Sequence, residues 1–249
     1  MSTSLLTTTL RALKIAAPVG ELLTQDCMLC AGLSASRLVC EACSASLPRL
    51  AHACARCAME LGESGVCGEC QRRAPSFDAA LAAFEYRFPL DRLVQRFKYA
   101  GDLAAGNWLA LELAARAAHC ERPDLLVAPP LAPSRLRERG FNQAVVIAKA
   151  VGRRLGIRHS PDALVKVRET SPQPGLGRKA RLANLRDAFR CDAQLAGEHV
   201  AIIDDVMTTG ATADTLARVL RAAGAARVSV WAIARTPGPA RSHGRAHER

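Results

Sequence analysis

Hydrophobic runs typical of buried strands alternate along the carboxyl-terminal half of the chain with spacings typical of helices. Residues 200–203 are apolar, and apolar residues recur at i, i+3, i+4 and i+7 from Leu216. A helix stop signal follows at Gly224, and residues 228–234 form a second apolar run. Because the connections are short, the pattern predicts a strand–loop–helix–strand unit with parallel strands and a right-handed crossover.

Similar patterns occur earlier in the chain. Residues 79 to about 119 contain a strand-like segment followed by two helical patterns, the first of which gives way at Gly101. Residues 125–128 are typical of a buried parallel strand that ends at a proline pair, and a helix is predicted to start near Asn142. The patterns together predict an α/β fold with a parallel sheet flanked by helices.

Polar residues after the run at 200–203 are suited to a sugar phosphate. Asp204 and Asp205 come first, and a loop of hydroxyl residues with Gly210 leads into the predicted helix. A loop between the carboxyl end of a strand and the amino end of a helix presents unpaired backbone N–H groups and the positive end of a dipole. Gly210 lets the chain approach an anion closely. The two carboxylates suit neighbouring hydroxyls, as on a ribose 5-phosphate, or a magnesium ion.

This segment resembles the phosphoribosyl-pyrophosphate (PRPP) signature of type I phosphoribosyltransferases. The resemblance implies that Asp204 and Asp205 hold the ribose hydroxyls. It also implies that the loop binds the 5-phosphate through Thr208, Thr209, Gly210, Ala211 and Thr212, and that Val206 and Met207 contact PRPP. The alternatives are an ordinary buried strand with a turn, or the acidic strand of a P-loop NTPase. The chain contains neither the G-x-x-x-x-G-K-[ST] segment of such an NTPase nor a G-x-G-x-x-G segment.

Eight of the ten cysteines form four C-x-x-C pairs near the amino end: Cys27, Cys30, Cys40, Cys43, Cys54, Cys57, Cys67 and Cys70. Two such pairs supply the four sulfur ligands of a structural zinc ion, so we expect two zinc ions. Sequential pairing, first four and last four, keeps each loop short, and a cross-brace between the first and third pairs is the alternative. A disulfide framework would need an oxidising compartment. Cys120 and Cys191 are expected to be small buried hydrophobic residues.

Basic residues cluster in two further segments. Arg135, Arg137 and Arg139 lie in the loop expected after the proline pair Pro129–Pro130. They predict a polyanion site, with an exposed helix start as the alternative. Residues 166–189 combine glycines and prolines with Arg168, Arg178 and Lys179. This composition predicts a basic lid that closes on polyphosphate, and a plain linker is the alternative. Lys98, by itself, would be a solvated surface charge.

Together these segments resemble the ComF group of zinc-ribbon phosphoribosyltransferase-like proteins, which is associated with DNA uptake in competent bacteria. The shared elements are the paired C-x-x-C ribbons, RFKYAGD, RGFNQA, the basic lid and DDVMTTGAT. The resemblance implies a type I phosphoribosyltransferase fold with an amino-terminal double zinc ribbon, in which four cysteines hold each zinc ion, and Mg²⁺ bound with PRPP. It implies PRPP contacts from Pro129, Pro130, Arg135 and Arg139, and catalytic roles for Asp204, Asp205 and Arg168.

The expected organisation has four parts. An amphipathic helix covers residues 1–21, a double zinc ribbon 22–73, a phosphoribosyltransferase-like domain 79–236 and a basic disordered tail 237–249. The amino end lacks a secretory signal and the apolar stretches are too short to span a bilayer, so we expect a cytoplasmic protein without membrane insertion.

Two functions stay open at this point, and the oligomeric state is undetermined. The first is transfer of phosphoribose from PRPP to an unknown acceptor. The second is a non-catalytic, PRPP- or nucleotide-responsive adaptor that binds single-stranded DNA or a DNA-uptake or DNA-processing protein. A net charge of +11 favours a polyanionic partner, while aromatic residues, at 4%, are too few to predict a base-stacking platform.

Overall fold

Five strands form one parallel sheet. The computed structural model describes residues 24–35, 37–168, 185 and 187–238. The sheet strands are β3 (Ala79–Glu85), β4 (Leu125–Val127), β5 (Arg158–Ser160), β8 (His199–Met207) and β9 (Arg227–Arg235). Their order is β3-β9-β8-β4-β5, and every neighbouring pair is parallel. Two antiparallel pairs lie outside this sheet: β1 (Thr24–Asp26) with β2 (Leu33–Ala35), and β6 (Leu164–Lys166) with β7 (Phe189–Cys191).

Helices connect these strands and cover the sheet. They are α1 (Glu41–Ala45), α2 (Gly68–Arg72), α3 (Leu90–Tyr99), α4 (Leu103–Ala117), α5 (Pro133–Arg139), α6 (Gln143–Leu155) and α7 (Ala211–Ala222). One apolar cluster joins α3, α4 and α6 to residues of the sheet and to residues near the first four paired cysteines, such as Cys27 and Val39. A second joins α7 to alternate residues of the same strands and to β6 and β7. The helices therefore lie on both faces of the sheet, as side-chain alternation along the strands requires.

Strand β8 is longer than its neighbour β4, and this difference creates the site described below. Val127, the last residue of β4, pairs with Ile202, whereas pairing with β9 continues to Met207. Asp204 and Asp205 belong to β8, because β9 still supplies hydrogen bonds on one side after β4 has ended.

Residues 48–50, which lie between Cys43 and Cys54, continue the sheet at the edge of β3. Leu50 donates its backbone N–H to the carbonyl of Ala83 over 3.2 Å, and Glu85 donates to that of Pro48 over 2.8 Å. Arg49 forms an antiparallel bridge with Phe84. These backbone hydrogen bonds attach the segment directly to the strand that borders β9.

The predicted fold class is confirmed by the parallel sheet, its flanking helices and the cysteine-rich amino-terminal region. One local expectation is wrong: residues 133–139, predicted as a loop, form the helix α5, which Pro133 starts and Gly140 ends at φ 77°. The amphipathic helix at 1–21, residues 169–184 of the basic lid and residues 239–249 of the tail lie outside the described residues. Within the described ranges, no helix has the length and apolar character needed to cross a membrane.

Candidate functional site

The extension of β8 beyond β4 places two acids at the carboxyl edge of the sheet. Asp204 and Asp205 are both largely buried. The Oδ1 atom of Asp204 accepts the backbone N–H of Asp205 over 2.9 Å, and the Oδ1 atom of Asp205 accepts that of Val206 over 2.5 Å. These bonds fix both carboxylates next to each other at the end of the strand.

Lys98 completes this acidic pair, although its sequence context suggested a solvated charge. Its Nζ lies 3.0 Å from Oδ2 of Asp205, and the Lys98 side chain is only 17% exposed. The lysine reaches the site because the buried residues Val94 and Phe97 fix the last turn of α3 against the core. The site therefore contains two carboxylates and one cation in contact.

Asp204 binds a proton more tightly than an ordinary carboxylate. Loss of water around Asp204 and the neighbouring charge of Asp205 raise the pKa of Asp204 from 3.8 to about 7, although Lys98 acts in the opposite direction. At neutral pH, Asp205 faces an ammonium group while Asp204 is close to its titration point. Such a pair can both accept and donate hydrogen bonds, which suits vicinal hydroxyls.

The raised pKa of Asp204 predicts a pH-dependent effect of Asp204→Asn on stability. The folded state binds this proton more tightly than the unfolded state, so stability decreases as pH rises from about 4 to about 7. We expect Asp204→Asn to stabilise the ligand-free protein by about 2 kcal/mol at pH 8 and hardly at all at pH 4. Urea unfolding at both pH values measures this, with the exposed Asp162→Asn as the control. Equal effects of Asp204→Asn at both pH values would contradict the assignment.

The loop after β8 forms a turn at the amino end of α7. Gly210 precedes the helix with φ 72°, a left-handed conformation that residues with a Cβ rarely adopt. Ala211 and Thr212 are then the first residues of the helix, and Thr209 Oγ1 accepts the backbone N–H of Ala211 over 3.4 Å. Thr208 is exposed, whereas the Met207 side chain lies in the core beneath the loop. The loop thus has both hydroxyls and helix N–H groups.

The loop after β4 is held near the same edge. Asn142 caps α6 by accepting the N–H of Ala144 over 3.0 Å, and its Nδ2 donates to the carbonyl of Pro129 over 2.9 Å. Pro130 is half-buried beside it, and Arg135 is exposed on α5. These contacts fix the proline turn at the carboxyl end of β4.

Arg139 and Gln143 contribute buried donors to this region. Arg139 donates from one terminal nitrogen to Oε1 of Gln143 over 3.2 Å, and its guanidinium lies 5.6 Å from the ring centre of Tyr99. Within the described ranges, neither Nε of Arg139 nor Nε2 of Gln143 has a hydrogen-bond partner. Buried donors without partners are costly and fit an anionic ligand. Arg168, the third predicted catalytic residue, is exposed and is the last described residue before position 169.

The eight paired cysteines form two clusters, and the sequential pairing is confirmed. Sulfur atoms lie within 4.8 Å of one another in each of two groups: Cys27, Cys30, Cys40 and Cys43, and Cys54, Cys57, Cys67 and Cys70. The Cys30–Cys40 and Cys57–Cys67 sulfur distances are 3.9 and 3.7 Å. A tetrahedral zinc ion with bonds of about 2.3 Å places its sulfurs about 3.8 Å apart, so both clusters fit structural zinc.

Hydrogen bonds and charge also favour a cation in these clusters. Burial raises the pKa of Cys54, but backbone N–H groups of Cys67 and others outweigh burial and lower that pKa to about 7. Burial and the neighbouring thiol of Cys54 raise the pKa of Cys57 to about 11. A bound zinc ion would favour the thiolate form of such a cysteine. Because all four ligands come from the protein, neither site keeps the open position that catalysis requires.

The two single cysteines differ from each other. Cys120 is exposed, so the expectation that it is buried is wrong, and Cys191 is partly buried with its sulfur 3.4 Å from the carbonyl of Ala193. Cys120 follows the end of α4, in a bend of the chain.

Comparison with known proteins identifies the family of this chain. Residues 20–71 match the double zinc ribbon domain family. DNA utilization protein YhgH of Salmonella typhi is 31% identical over 205 residues, which cover 80% of this chain and 90% of that protein. Competence protein F of Haemophilus influenzae is 31% identical over 207 residues, or 79% and 90% of the two chains. The chain belongs to the ComF family.

A solved structure resembles part of this ComF-family protein. Glutamine PRPP amidotransferase from B. subtilis is 20% identical, with a TM-score of 0.39, over 55% of this chain and 30% of that chain.

Two residues of the site, Lys98 and Arg235, were not predicted from the sequence. Lys98 occurs in the RFKYAGD segment, and its position four residues after the buried Val94 was a signal that it lies at the border of the buried face. Arg235 directly follows the apolar run of β9 and is itself buried. A charged residue at the end of a buried strand was the signal in the sequence.

Proposed function

We propose that this ComF-family protein binds PRPP at the carboxyl edge of its sheet and transfers the phosphoribosyl group to a nitrogen acceptor. The observation that carries this proposal is that the Lys98–Asp205–Asp204 group lies next to the loop at the start of α7. The carboxylates would bind the two free hydroxyls of the sugar, and the loop would bind its 5-phosphate.

The acidic pair supports binding of the ribose hydroxyls. Asp205 pairs with Lys98 and would accept a hydroxyl hydrogen bond, while the raised pKa of Asp204 lets it donate or accept. Both side chains are already fixed by backbone N–H groups, so little conformational entropy is lost on binding. We assign these two residues to the sugar.

The loop at residues 208–212 supports binding of the 5-phosphate. Backbone N–H groups at the start of α7 point towards the loop, and the helix dipole favours an anion there. The hydroxyls of Thr208, Thr209 and Thr212 add further donors. Because this phosphate is remote from the reacting carbon, its binding energy would orient the sugar for reaction.

Arginines near the β4 loop support binding of pyrophosphate. Arg139 and Gln143 each keep a buried donor without a protein partner among the described residues, and Arg135 is exposed on the same short helix as Arg139. Arg168 would approach with the lid. When bound with PRPP, magnesium would neutralise phosphate charge. The protein donors found here fit the pyrophosphate, and the acidic pair fits the sugar, so the metal would be held mainly through the ligand.

The proposed reaction breaks the bond between C1 of the ribose and the pyrophosphate oxygen. The bonding electrons leave with pyrophosphate, and the lone pair of the acceptor nitrogen forms the new bond to C1. The nitrogen then loses its proton to solvent. The arginine donors would stabilise the negative charge that develops on the leaving group.

A screen for PRPP-dependent pyrophosphate release across bases and amines tests the enzyme proposal. Release that depends on one acceptor, and that is lost in Arg168→Ala, would support it. PRPP binding by calorimetry without release by any acceptor would contradict transfer and leave a PRPP-binding protein.

A second function is favoured by the names of the relatives and by the charge. The relatives are called DNA utilization protein and competence protein F, and this chain has a net charge of +11. An adaptor would bind single-stranded DNA with an affinity that falls steeply as salt concentration rises. Fluorescence anisotropy with labelled oligonucleotides at several salt concentrations, with and without PRPP, measures this. Affinity that changes with PRPP in the absence of turnover would favour the adaptor over the enzyme.

Lys98 provides a further test of the PRPP site. We expect Lys98→Gln to weaken PRPP binding about tenfold, because Asp205 loses its 3.0 Å ion pair and the two carboxylates then repel each other and the phosphates. Calorimetry at pH 7.5 with magnesium present measures the change. The exposed Lys149→Gln removes the same charge elsewhere. Equal PRPP affinity in the two variants would exclude a role for Lys98 in binding.

A further inference from the structure

Arg235 is a buried arginine that connects the second cysteine cluster with the phosphate loop. It is the last residue of β9 and is only 6% exposed. Its Nε donates to the carbonyl of Cys57 over 3.0 Å. One terminal nitrogen donates to the carbonyl of Met207 over 3.1 Å and also contacts the carbonyl of Thr208. One side chain therefore holds a ligand residue of the cluster and the first residues of the loop.

The electrostatic surroundings of Arg235 also point to the cluster. Its guanidinium lies directly beside Cys57, a ligand residue of that cluster. Four thiolates around one zinc ion carry a net negative charge. A guanidinium that has lost its water is stabilised by such a neighbour, because electrostatic interactions strengthen where water is excluded.

Apolar packing joins the same two regions. Leu50, which precedes Cys54, and Ala58, which follows Cys57, belong to the same buried cluster as Met207 and Phe77. The ring of Phe77 lies 3.9 Å from the position that a Cβ on Gly210 would occupy. The back of the phosphate loop, formed by Met207, thus belongs to the same apolar cluster as Leu50 and Ala58, which lie on either side of Cys54 and Cys57.

We propose that Arg235 is a positioning residue that couples the second cysteine cluster to the phosphate loop, so that metal bound by this cluster sets the affinity for the sugar phosphate. This proposal rests on the proposed PRPP site. Arginine is suited to the role because its planar fork can donate in two directions at once, to Cys57 and to the loop. A lysine retains the charge but donates from a single nitrogen.

The test compares Arg235→Lys, Cys67→Ser and a control, Arg221→Gln. Arg221 pairs with Asp78 at 2.6 Å and lies outside the site. We measure zinc content, thermal unfolding, amide hydrogen exchange of residues 206–212, and PRPP affinity by calorimetry. Arg235→Lys is expected to keep both zinc ions, exchange faster in this loop and bind PRPP about tenfold more weakly. Cys67→Ser is expected to lose one zinc ion and show the same faster exchange.

The outcomes separate this proposal from the PRPP site itself. Wild-type exchange and PRPP affinity in both Arg235→Lys and Cys67→Ser would overturn the coupling. A lower unfolding temperature in Arg235→Lys, with loop exchange and affinity changed no more than in Arg221→Gln, would also overturn it, since the role is then only structural. If the wild-type protein binds no PRPP but loop exchange still responds to both variants, the PRPP site fails and the coupling stands.

Discussion

Replacing Asp204 and Asp205 together by asparagine is expected to abolish measurable PRPP binding while both zinc ions are retained. Each carboxylate would contribute a charge-assisted hydrogen bond to the sugar, and such bonds contribute about 1.5–3 kcal/mol each. Two of them correspond to a loss of affinity of at least about 100-fold. Lys98 also loses its 3.0 Å partner and remains as an uncompensated cation in the site. Calorimetry with PRPP and magnesium measures the loss.

The control for this double variant removes the same two charges elsewhere. Asp162 and Asp192 lie at exposed or partly exposed positions near β6 and β7, and Asp192 pairs with Arg190 there. The variant Asp162→Asn with Asp192→Asn is expected to bind PRPP as the wild-type protein does. Undiminished affinity in the Asp204/Asp205 variant would refute the assignment of this edge of the sheet to PRPP.

The second large effect is expected from Cys54→Ser. Cys54 is fully buried, and its sulfur accepts the backbone N–H of Cys67 over 3.3 Å. Few large apolar residues lie between the paired cysteines, so metal binding provides much of the folding energy of this segment. Losing this zinc site is expected to cost at least roughly 4 kcal/mol and to lower the unfolding temperature by about 10 °C. Zinc analysis should then find one ion per chain.

Cys120→Ser is the matched control for this loss. Cys120 is exposed and lies outside both clusters, so its variant should keep two zinc ions and the wild-type unfolding temperature. Two retained zinc ions in Cys54→Ser would contradict the assignment of Cys54 as a ligand. Hydrogen exchange in residues 48–55 would show whether the loss spreads into the strand edge that these residues cover.

Local sequence patterns were sufficient to predict the elements that depend on residues close together in the chain. The apolar run at 200–203, the helix spacing from Leu216 and the run at 228–234 correspond to β8, α7 and β9. The C-x-x-C pairs likewise indicated zinc, because the chelating geometry is formed within a few residues. The domain boundaries stay predictions, as does every PRPP contact.

Some features depended on partners far away in the chain. The strand at 200–203 extends through the acids because residues near Ala232 and Ala234 still pair with it, and no short window of sequence contains both strands. The helix at residues 133–139 is different, because its end signals, Pro133 and Gly140, are local although its arginines suggested a loop.

The sequence by itself determined the α/β class, the C-x-x-C pairs that indicate zinc and the acids with their adjoining loop, since each depends on residues close together in the chain. Only the tertiary structure decided that Lys98 pairs with Asp205 and that Arg235 joins Cys57 to Met207. These contacts span from 28 to 178 residues. The physical reason is that a charged side chain becomes part of a site only when packing of distant elements buries it beside an opposite charge or a carbonyl.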